Sequence, residues 1–280
     1  MNKVLKQKYG KLREILKGLE SVAVAYSGGV DSTLLLRTAL DVLPGKVVAF
    51  TAKSETYPQI ELEGALCMAR MLNARCEVME TSELNIECFS DNPPDRCYYC
   101  KKELFTKIKD MAQKRGIRHV VDGANSDDVS DFRPGLMASK ELGVRSPLKE
   151  AGLTKKDIRT LSRVLGLATW DKPAYACLAS RFPYGEKITE EKLHMVERAE
   201  NILLTLGFSN FRVRHHGTIA RIEVPEDEIK NLLNDEIKKK VIREFKKLGF
   251  IYVTVDIEGY RSGSMNEPLG RNVKGARPHK

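Results

Sequence analysis

The sequence predicts an α/β protein, in which a domain built on a parallel β-sheet is followed by a small α+β domain. Up to about residue 173, short apolar segments typical of strands alternate with longer segments of helical periodicity. Strands and helices that alternate in this way form βαβ units, whose strands are parallel. A glycine-rich turn at 27–32 follows the first strand directly, and the order of elements changes after Ile188. These observations predict domains at 1–187 and 188–261, with a basic tail at 262–280.

The first domain begins with an amphipathic helix, in which apolar residues recur at helical spacing from Leu5 to Leu19. A strand at 21–26 leads through the glycine-rich turn into a second helix. Thr154 and Asp157 are spaced as the two partners of a capping box at a helix start. We predict three more strands at 46–51, 75–79 and 118–121, and further helices at 58–72, from near residue 100, and at 154–165.

The second domain has the order helix, strand, strand, helix, strand, which is typical of a small α+β domain. The predicted helices lie at 189–206 and 226–248. The predicted strands lie at 211–215, 218–224 and 251–257. From Ser262 onward we expect an extended or partly disordered chain.

The composition is that of a soluble globular protein, with 280 residues of which 42% are hydrophobic and 30% charged. No apolar run approaches the roughly 20 residues that cross a bilayer. The first twenty residues hold six Lys or Arg and two Glu, which is too much charge for a signal peptide. We therefore expect no membrane partner and a location in the cytoplasm.

The net charge of +9 raises the question of a nucleic-acid partner. Residues 1–20 and residues 271–280 each have a net charge of +4, so the two ends carry most of it. The other 250 residues have a net charge of only +1. An RNA-binding protein would spread basic charge across a folded groove, so this distribution disfavours nucleic acid as a partner.

The glycine-rich turn has the composition of a phosphate-binding loop. Gly28 and Gly29 let the backbone approach an anion closely, and the first amides of the next helix point at it. Asp31 is repelled by bare phosphate and is better suited to hold Mg²⁺ or a metal-bound water. A glycine turn without a ligand is the alternative. We assign ATP and pyrophosphate binding to Ala25, Ser27, Gly28, Gly29, Asp31 and Ser32.

A second acidic cluster follows the fourth predicted strand, at residues 122–128. Ligands of open α/β sheets bind beyond the carboxyl ends of the strands. Asp127 and Asp128 are therefore predicted to complete a magnesium site with Asp31. The alternative is that these acids cap a helix or lie in a solvated turn.

Six cysteines in a reducing compartment are expected to be thiols, metal ligands or catalytic groups. Cys97 and Cys100 form a C-x-x-C pair, which binds zinc, takes part in redox chemistry or ligates two irons of a cluster. Cys177 lies in an irregular segment at 174–187, where the nearby Arg181 favours its thiolate. Unrelated or structural thiols are the alternatives at both places. The remaining cysteines, Cys67, Cys76 and Cys88, are expected to pack as small apolar groups.

The glycine-rich turn resembles the PP-loop of the N-type ATP pyrophosphatases, which bind the β- and γ-phosphates of ATP and leave the α-phosphate open to attack. The segments SGGVDST, DGANSDDVSDFRPG, RSPLKEAGLTKKDIR and WDKPAYACLASRFPYG together resemble the LarE family of sulfur transferases. The likeness extends from about Val22 to Tyr184, and more weakly to about Gly259. It implies a PP-loop fold for the first domain and an ATP-dependent enzyme that forms AMP and pyrophosphate.

The resemblance also implies the substrate, a pyridinium dicarboxylate mononucleotide that is adenylylated on a carboxylate and then converted to a thiocarboxylate. The product leads to the nickel-pincer nucleotide cofactor. ATP and Mg²⁺ are the implied cofactors, a homo-oligomer is expected, and the sulfur donor is left open. The resemblance implies substrate binding by Ser180, Arg181, Arg212 and Arg214. Glu197 and Glu223 are further candidates for the substrate site, at the metal or the product phosphate. The alternative for Arg212 and Arg214 is surface charge on an exposed sheet face.

The family has two branches that differ in the source of sulfur. In one, a single cysteine that matches Cys177 gives up its own sulfur and becomes dehydroalanine. In the other, three cysteines hold a 4Fe-4S iron-sulfur cluster whose open iron carries an extra sulfide. This chain has Cys97 and Cys100 as well as Cys177, so it resembles the cluster branch, with Cys177 as the catalytic residue.

Two other functions fit part of the pattern. A tRNA thiolase also combines a PP-loop with clustered cysteines, but it needs an RNA-binding surface. A nucleotide- or cluster-binding sensor without catalysis would release no pyrophosphate with any substrate.

Overall fold

A computed structural model gives the structure of residues 1–130, 134–173, 175–261 and 263–270. These residues form two compact units. The first contains Met1–Glu83 and Asp95–Tyr175, and the second contains Leu84–Pro94 and the described residues from Ala176 onward. The predicted domain limits stay predictions. Most of the predicted basic tail, from residue 271 on, lies outside the described residues.

The first unit is built on four parallel strands, β1 (Val22–Ala25), β2 (Val47–Lys53), β3 (Cys76–Glu80) and β4 (His119–Val121). Their order across the sheet is β3-β2-β1-β4. The predicted parallel sheet is therefore confirmed, and each strand lies within two residues of its predicted bounds. The helices of this unit are α1 (Lys3–Gly18), α2 (Val30–Val42), α3 (Gln59–Met71), α4 (Arg96–Gln113), α5 (Gly135–Glu141), α6 (Pro147–Glu150) and α7 (Lys155–Val164).

Helices cover this sheet on both faces, which explains why its central strands are almost wholly apolar. One face packs against α1, α2 and α7, in a core that includes Leu16, Leu35 and Ile158. The other face packs against α4, where Phe105 contacts a core that contains Phe50 of β2.

The strand order creates a switch point at β1, because β2 lies on one side of it and β4 on the other. A crevice opens beyond the carboxyl ends of the strands at such a point, and ligands bind there. The glycine-rich turn follows β1 and the acidic segment follows β4. The fold therefore brings both predicted motifs to the same edge of the sheet.

The second unit contains the strands β5 (Arg212–His216), β6 (Ile219–Glu223) and β7 (Tyr252–Val255), in the order β5-β6-β7. The first pair is antiparallel and the second pair is parallel. The helices are α8 (Glu190–Thr205), α9 (Ile229–Leu232) and α10 (Asp235–Lys247). Leu203, Ile222 and Phe245 lie in their common core, so a small α+β part after the parallel sheet is confirmed.

Two predictions about the second unit are wrong. The predicted helix at 226–248 is interrupted, since a 3-10 turn at Glu226–Glu228 leads into the short α9 and α10 starts only after Asn234. The Asn234 side chain accepts a hydrogen bond from the Glu236 amide at 3.1 Å and caps α10. The predicted extended tail is also wrong where it is described, because Ser264–Leu269 forms a 3-10 helix.

Within the described residues, every helix is too short or too polar to cross a bilayer. The longest, α4, has 18 residues and carries charged side chains along its length.

Candidate active site

The glycine-rich turn joins β1, which ends at Ala25, to α2, which begins at Val30. Gly29 is the N-cap of α2 and supplies no side chain, so the first amides of this helix have no side-chain cap. Uncapped amides at a helix N-terminus attract anions, and the helix dipole adds to the attraction. Ser27 Oγ lies 3.1 Å from Ser32 Oγ, which also accepts from the Ser27 amide at 3.3 Å, so the two serines close the turn.

Only glycine fits at the second position of this turn. Gly28 has a φ of +64°, in the left-handed region that other residues rarely adopt. A Cβ atom at Gly28 would lie 2.6 Å from the Cβ of Ala65 in α3, well inside contact distance. The turn is therefore packed directly against α3.

The acidic segment after β4 packs against the start of α2. Asp31 lies in the first turn of α2, and Asn125 Nδ2 lies 3.4 Å from Asp31 Oδ1. A Cβ atom at Gly123 would lie 3.1 Å from the Ser32 amide nitrogen, which shows how closely the two segments approach. The structure thus brings together the two motifs that the sequence predicted to cooperate.

Lys155, the first residue of α7, contacts two of the predicted magnesium ligands. Its Nζ forms an ion pair with Asp31 Oδ2, and its amide donates to Asp127 Oδ2 at 2.8 Å. The third ligand, Asp128, accepts a hydrogen bond from the Asn125 amide at 2.9 Å. Asp31 therefore already has a cationic partner within the protein.

The three carboxylates fit Mg²⁺ by the chemistry of their donors. Among the described residues, no three His, Cys, Asp or Glu side chains lie together in a way that could hold a metal ion. Carboxylate oxygens are the ligands that Mg²⁺ prefers, and the Asp31 carboxylate is oriented toward a positive charge. The magnesium site at Asp31, Asp127 and Asp128 stays a prediction.

Sequence reasoning missed three side chains at the glycine-rich turn. Besides Lys155, these are Tyr57, whose Oη donates to the Ser27 carbonyl at 2.7 Å, and Lys172, whose Nζ lies 3.5 Å from the Gly28 carbonyl. Both lysines lie in the long segments that resemble the LarE family. Those segments hold other lysines as well, so the sequence does not single out these two.

Cys97 and Cys100 lie near the start of α4, three residues apart and so on one face of the helix. Two thiolates on one face fit two ligand positions of a cluster. Cys97 is exposed, and Cys100 is half-buried, with its Sγ 4.0 Å from Glu83 Oε1. Cys177, in the second unit, immediately precedes the 3-10 turn Leu178–Arg181. The cluster and its ligand set stay predictions.

The other three cysteines differ among themselves. Cys76 packs against the core of the first unit, and burial raises the pKa of its thiol to about 11, as expected for a structural thiol. Cys67 and Cys88 are exposed, so the prediction that they pack as apolar groups is wrong.

Arg181 is fully buried and holds the backbone around Cys177. Its Nε and Nη2 donate to the Glu200 carboxylate at 2.8 and 2.9 Å. Its Nη1 donates to Ser180 Oγ at 2.8 Å and to the Cys177 carbonyl at 3.3 Å. In this conformation the guanidinium group positions the segment that contains Cys177.

Arg214 brings together three of the predicted substrate-binding residues. Its guanidinium group donates to the Glu223 carboxylate at 2.9 and 2.7 Å and to the Ser180 carbonyl at 2.8 Å. It also donates to Ser264 Oγ at 3.2 Å, a contact that the sequence did not predict.

Arg212 lies two residues away on β5, with its guanidinium carbon 4.9 Å from the ring centroid of Tyr260. Both Arg212 and Arg214 are buried, so neither is a surface charge on an exposed sheet face. Glu197 is half-buried on α8. The substrate-binding roles of these residues stay predictions.

The chain is similar to known proteins over almost its whole length. No family model matches it. It is 44% identical over 266 residues to an uncharacterised protein of Synechocystis sp., a match that covers 95% of this chain and 99% of the relative. It is 42% identical over 268 residues to the pyridinium-3,5-bisthiocarboxylic acid mononucleotide synthase of Lactiplantibacillus plantarum, covering 95% and 96%. An uncharacterised protein of Methanocaldococcus jannaschii is 33% identical over 262 residues, covering 94% and 98%.

Proposed function

We propose that this chain, which belongs to the LarE family of sulfur transferases, converts a carboxylate of a pyridinium dicarboxylate mononucleotide into a thiocarboxylate. The thiocarboxylate serves nickel-pincer nucleotide synthesis. The relative from Lactiplantibacillus plantarum is named for a bisthiocarboxylic acid mononucleotide, which is a product of this class. The observation that carries the proposal is the glycine-rich turn with its uncapped helix amides, next to the cation-binding carboxylate of Asp31.

The first step is transfer of AMP to the substrate. The amides at the start of α2 bind the β- and γ-phosphates, which leaves the α-phosphorus open on the other side. A substrate carboxylate oxygen attacks this phosphorus, and pyrophosphate leaves with the bonding electron pair. Mg²⁺, held by Asp31, Asp127 and Asp128, would neutralise charge on the phosphates. The product is an acyl adenylate, in which a poor leaving group has become a good one.

The second step replaces AMP by sulfur. A 4Fe-4S cluster held by Cys97, Cys100 and Cys177 would supply sulfide at its open iron. Attack of sulfur on the carbonyl carbon forms the C–S bond, and AMP leaves with the electrons of the C–O bond. The alternative source is Cys177 itself, whose thiolate would form a thioester that eliminates to thiocarboxylate and dehydroalanine.

The substrate itself is proposed to bind through Ser180, Arg181, Arg212, Arg214, Glu197 and Glu223. Guanidinium groups suit the phosphate and carboxylates of such a nucleotide, because they donate paired hydrogen bonds to anions. We further propose that the enzyme works in the cytoplasm, where thiols persist, and as a homo-oligomer.

The test is an anaerobic reaction of the full-length protein with Mg-ATP, sulfide and the pyridinium dicarboxylate mononucleotide, followed by mass spectrometry. We expect AMP together with a product in which sulfur replaces one carboxylate oxygen. Cys177→Ser is expected to abolish this product. Cys67→Ser, at an exposed cysteine outside the proposed set, is expected to retain it. AMP formation without any sulfur-containing product would contradict the proposal.

The same samples identify the source of sulfur. The cluster route predicts an intact Cys177 after several turnovers and about four irons per chain. A Cys177 residue that has lost its sulfur after one turnover would overturn the cluster route in favour of the sacrificial one.

A further inference from the structure

Two successive carbonyl groups of the glycine-rich turn accept hydrogen bonds from side chains outside the turn. Tyr57 Oη donates to the Ser27 carbonyl at 2.7 Å. Lys172 Nζ lies 3.5 Å from the Gly28 carbonyl, on the next peptide unit. The turn is therefore held by its carbonyl groups as well as by its own serines.

Holding these carbonyls fixes the direction of the amides that face a phosphate. In a trans peptide the C=O and the N–H of the same unit point in opposite directions, and the described backbone has no cis bond. The Ser27 carbonyl shares its peptide unit with the Gly28 amide, and the Gly28 carbonyl shares its unit with the Gly29 amide. A donor bound to each carbonyl therefore directs the corresponding N–H away from that donor.

The Lys172 donor is itself held by other residues. Lys172 Nζ lies 2.8 Å from Glu61 Oε2, on the same face of α3 as Ala65, which packs against Gly28. Arg159 of α7 donates to the Lys172 carbonyl at 2.8 Å and so anchors that segment.

Tyr57 is half-buried, and burial together with the nearby Glu61 carboxylate raises the pKa of Tyr57 above its ordinary value. The Tyr57 hydroxyl therefore keeps its proton and remains a donor to the turn.

We infer that Tyr57 and Lys172 are positioning residues, which hold the amides of Gly28 and Gly29 in the orientation that binds the β- and γ-phosphates of ATP. The inference deepens the proposed function and rests on it. A cradle whose amides are already oriented binds its anion without a reorganisation cost. Glycine makes such support necessary, because its backbone has more freedom than that of any other residue.

The test measures binding of ATP, pyrophosphate and AMP to Tyr57→Phe, Lys172→Met and the double variant by titration calorimetry. One lost hydrogen bond is expected to weaken binding of ATP and pyrophosphate about three- to tenfold, and the double variant more than either. AMP lacks the β- and γ-phosphates, so its affinity is expected to stay unchanged. Lys172→Arg is expected to restore part of the lost affinity, because it keeps a cationic donor.

Two control variants test whether loss of a positive charge, or loss of any tyrosine hydroxyl, is enough to weaken binding. Lys156→Met removes an exposed lysine beside Lys155, and Tyr252→Phe removes a hydroxyl from a residue that is 61% exposed. Both are expected to bind all three ligands as the unmodified protein does. Unchanged affinity for ATP and pyrophosphate in the double variant would overturn the inference, and so would an equal loss for AMP. An unmodified protein that bound neither ATP nor pyrophosphate would instead overturn the proposed function.

Discussion

Lys155 links the start of α2 to the acidic segment after β4. Its ammonium group pairs with Asp31, while its amide donates to Asp127, so one residue contacts two of the predicted magnesium ligands. Mg-ATP would bring both a cation for the carboxylates and an anion for the lysine. We therefore expect Lys155 to exchange Asp31 for a phosphate oxygen when the nucleotide binds.

Replacing Lys155 should change the affinities for metal and for pyrophosphate in opposite directions. In Lys155→Met the Asp31 carboxylate loses its cationic partner, so Mn²⁺ used as a probe should bind several-fold more tightly in the absence of nucleotide. Pyrophosphate should bind about tenfold more weakly, because one charge-assisted hydrogen bond is lost. Electron paramagnetic resonance of Mn²⁺ and calorimetry with pyrophosphate measure the two effects. Lys156→Met should leave both affinities unchanged, and a parallel loss of both in Lys155→Met would refute this role.

Individual site residues could be predicted where they are neighbours in sequence. Ser27 and Gly28 lie between β1 and α2, and Asp31 lies in the first turn of α2, as expected for a strand-to-helix turn. Their binding roles stay predictions. The three side chains that support the turn lie 30, 124 and 144 residues away from their partners. Tyrosine and lysine are common residues, so nothing local in the sequence indicates which of them the fold brings to the turn.

Among the elements, α7 supports the site most directly. Its first residue is Lys155, and Arg159 and Arg163 follow at intervals of four on the same face. Arg159 donates to the Trp170 carbonyl at 2.9 Å, and the guanidinium carbon of Arg163 lies 5.1 Å from the Trp170 ring centroid.

The predicted capping box at the start of α7 is confirmed. Thr154 Oγ1 accepts a hydrogen bond from the Asp157 amide at 3.2 Å, and the Asp157 side chain accepts one from the Thr154 amide.

Removing this cap should destabilise the first unit. Thr154→Ala is expected to lower its free energy of unfolding by about 1 kcal/mol, because an amide of the first turn loses its partner. Urea unfolding followed by the fluorescence of Trp170, the one tryptophan of the chain, measures this change. Thr160→Ala, an exposed threonine in the middle of α7, is the control and should change stability by about 0.5 kcal/mol or less. Equal effects of the two substitutions would show that the cap does not stabilise α7.

Element bounds could be predicted where burial dictates the residue pattern. The parallel strands are apolar because helices cover both faces, so their bounds shifted by at most two residues. The prediction of one helix at 226–248 is wrong because the segment is amphipathic both before and after Asn234, the residue that caps α10. Asn234, followed by two acidic residues, is an N-cap signal within that periodic pattern, and the periodicity concealed it.

At the scale of the whole molecule, the chain order does not reveal which segments belong to which unit. Leu84–Pro94 is grouped with the second unit, although the first unit both precedes and follows it. The Asn92 side chain donates to the carbonyls of Phe182 and Pro183 at 3.2 and 2.7 Å, and the Ile188 amide donates to the Ser90 carbonyl at 2.7 Å. Because these hydrogen-bonding partners lie so far along the chain, the local composition of Leu84–Pro94 does not indicate the unit to which it belongs.

Two buried arginines of the second unit are paired with glutamates. Arg181 is paired with Glu200, and Arg214 with Glu223. A buried guanidinium group needs such a partner, because an unpaired charge in the interior is strongly destabilising. The sequence predicts a substrate-binding role for Arg181 and Arg214. It does not indicate that each of them is paired with a glutamate from another element of the fold.

The proposed activity depends on the turn after β1, which is proposed to bind the two terminal phosphates of ATP. The most direct test follows the phosphorus products by ³¹P nuclear magnetic resonance while the full-length protein consumes Mg-ATP with the pyridinium dicarboxylate mononucleotide. We predict AMP and pyrophosphate in equal amounts, and no reaction when the mononucleotide is left out. Formation of ADP and inorganic phosphate would contradict the account, because it would mean that the γ-phosphate, rather than the α-phosphate, is the one attacked.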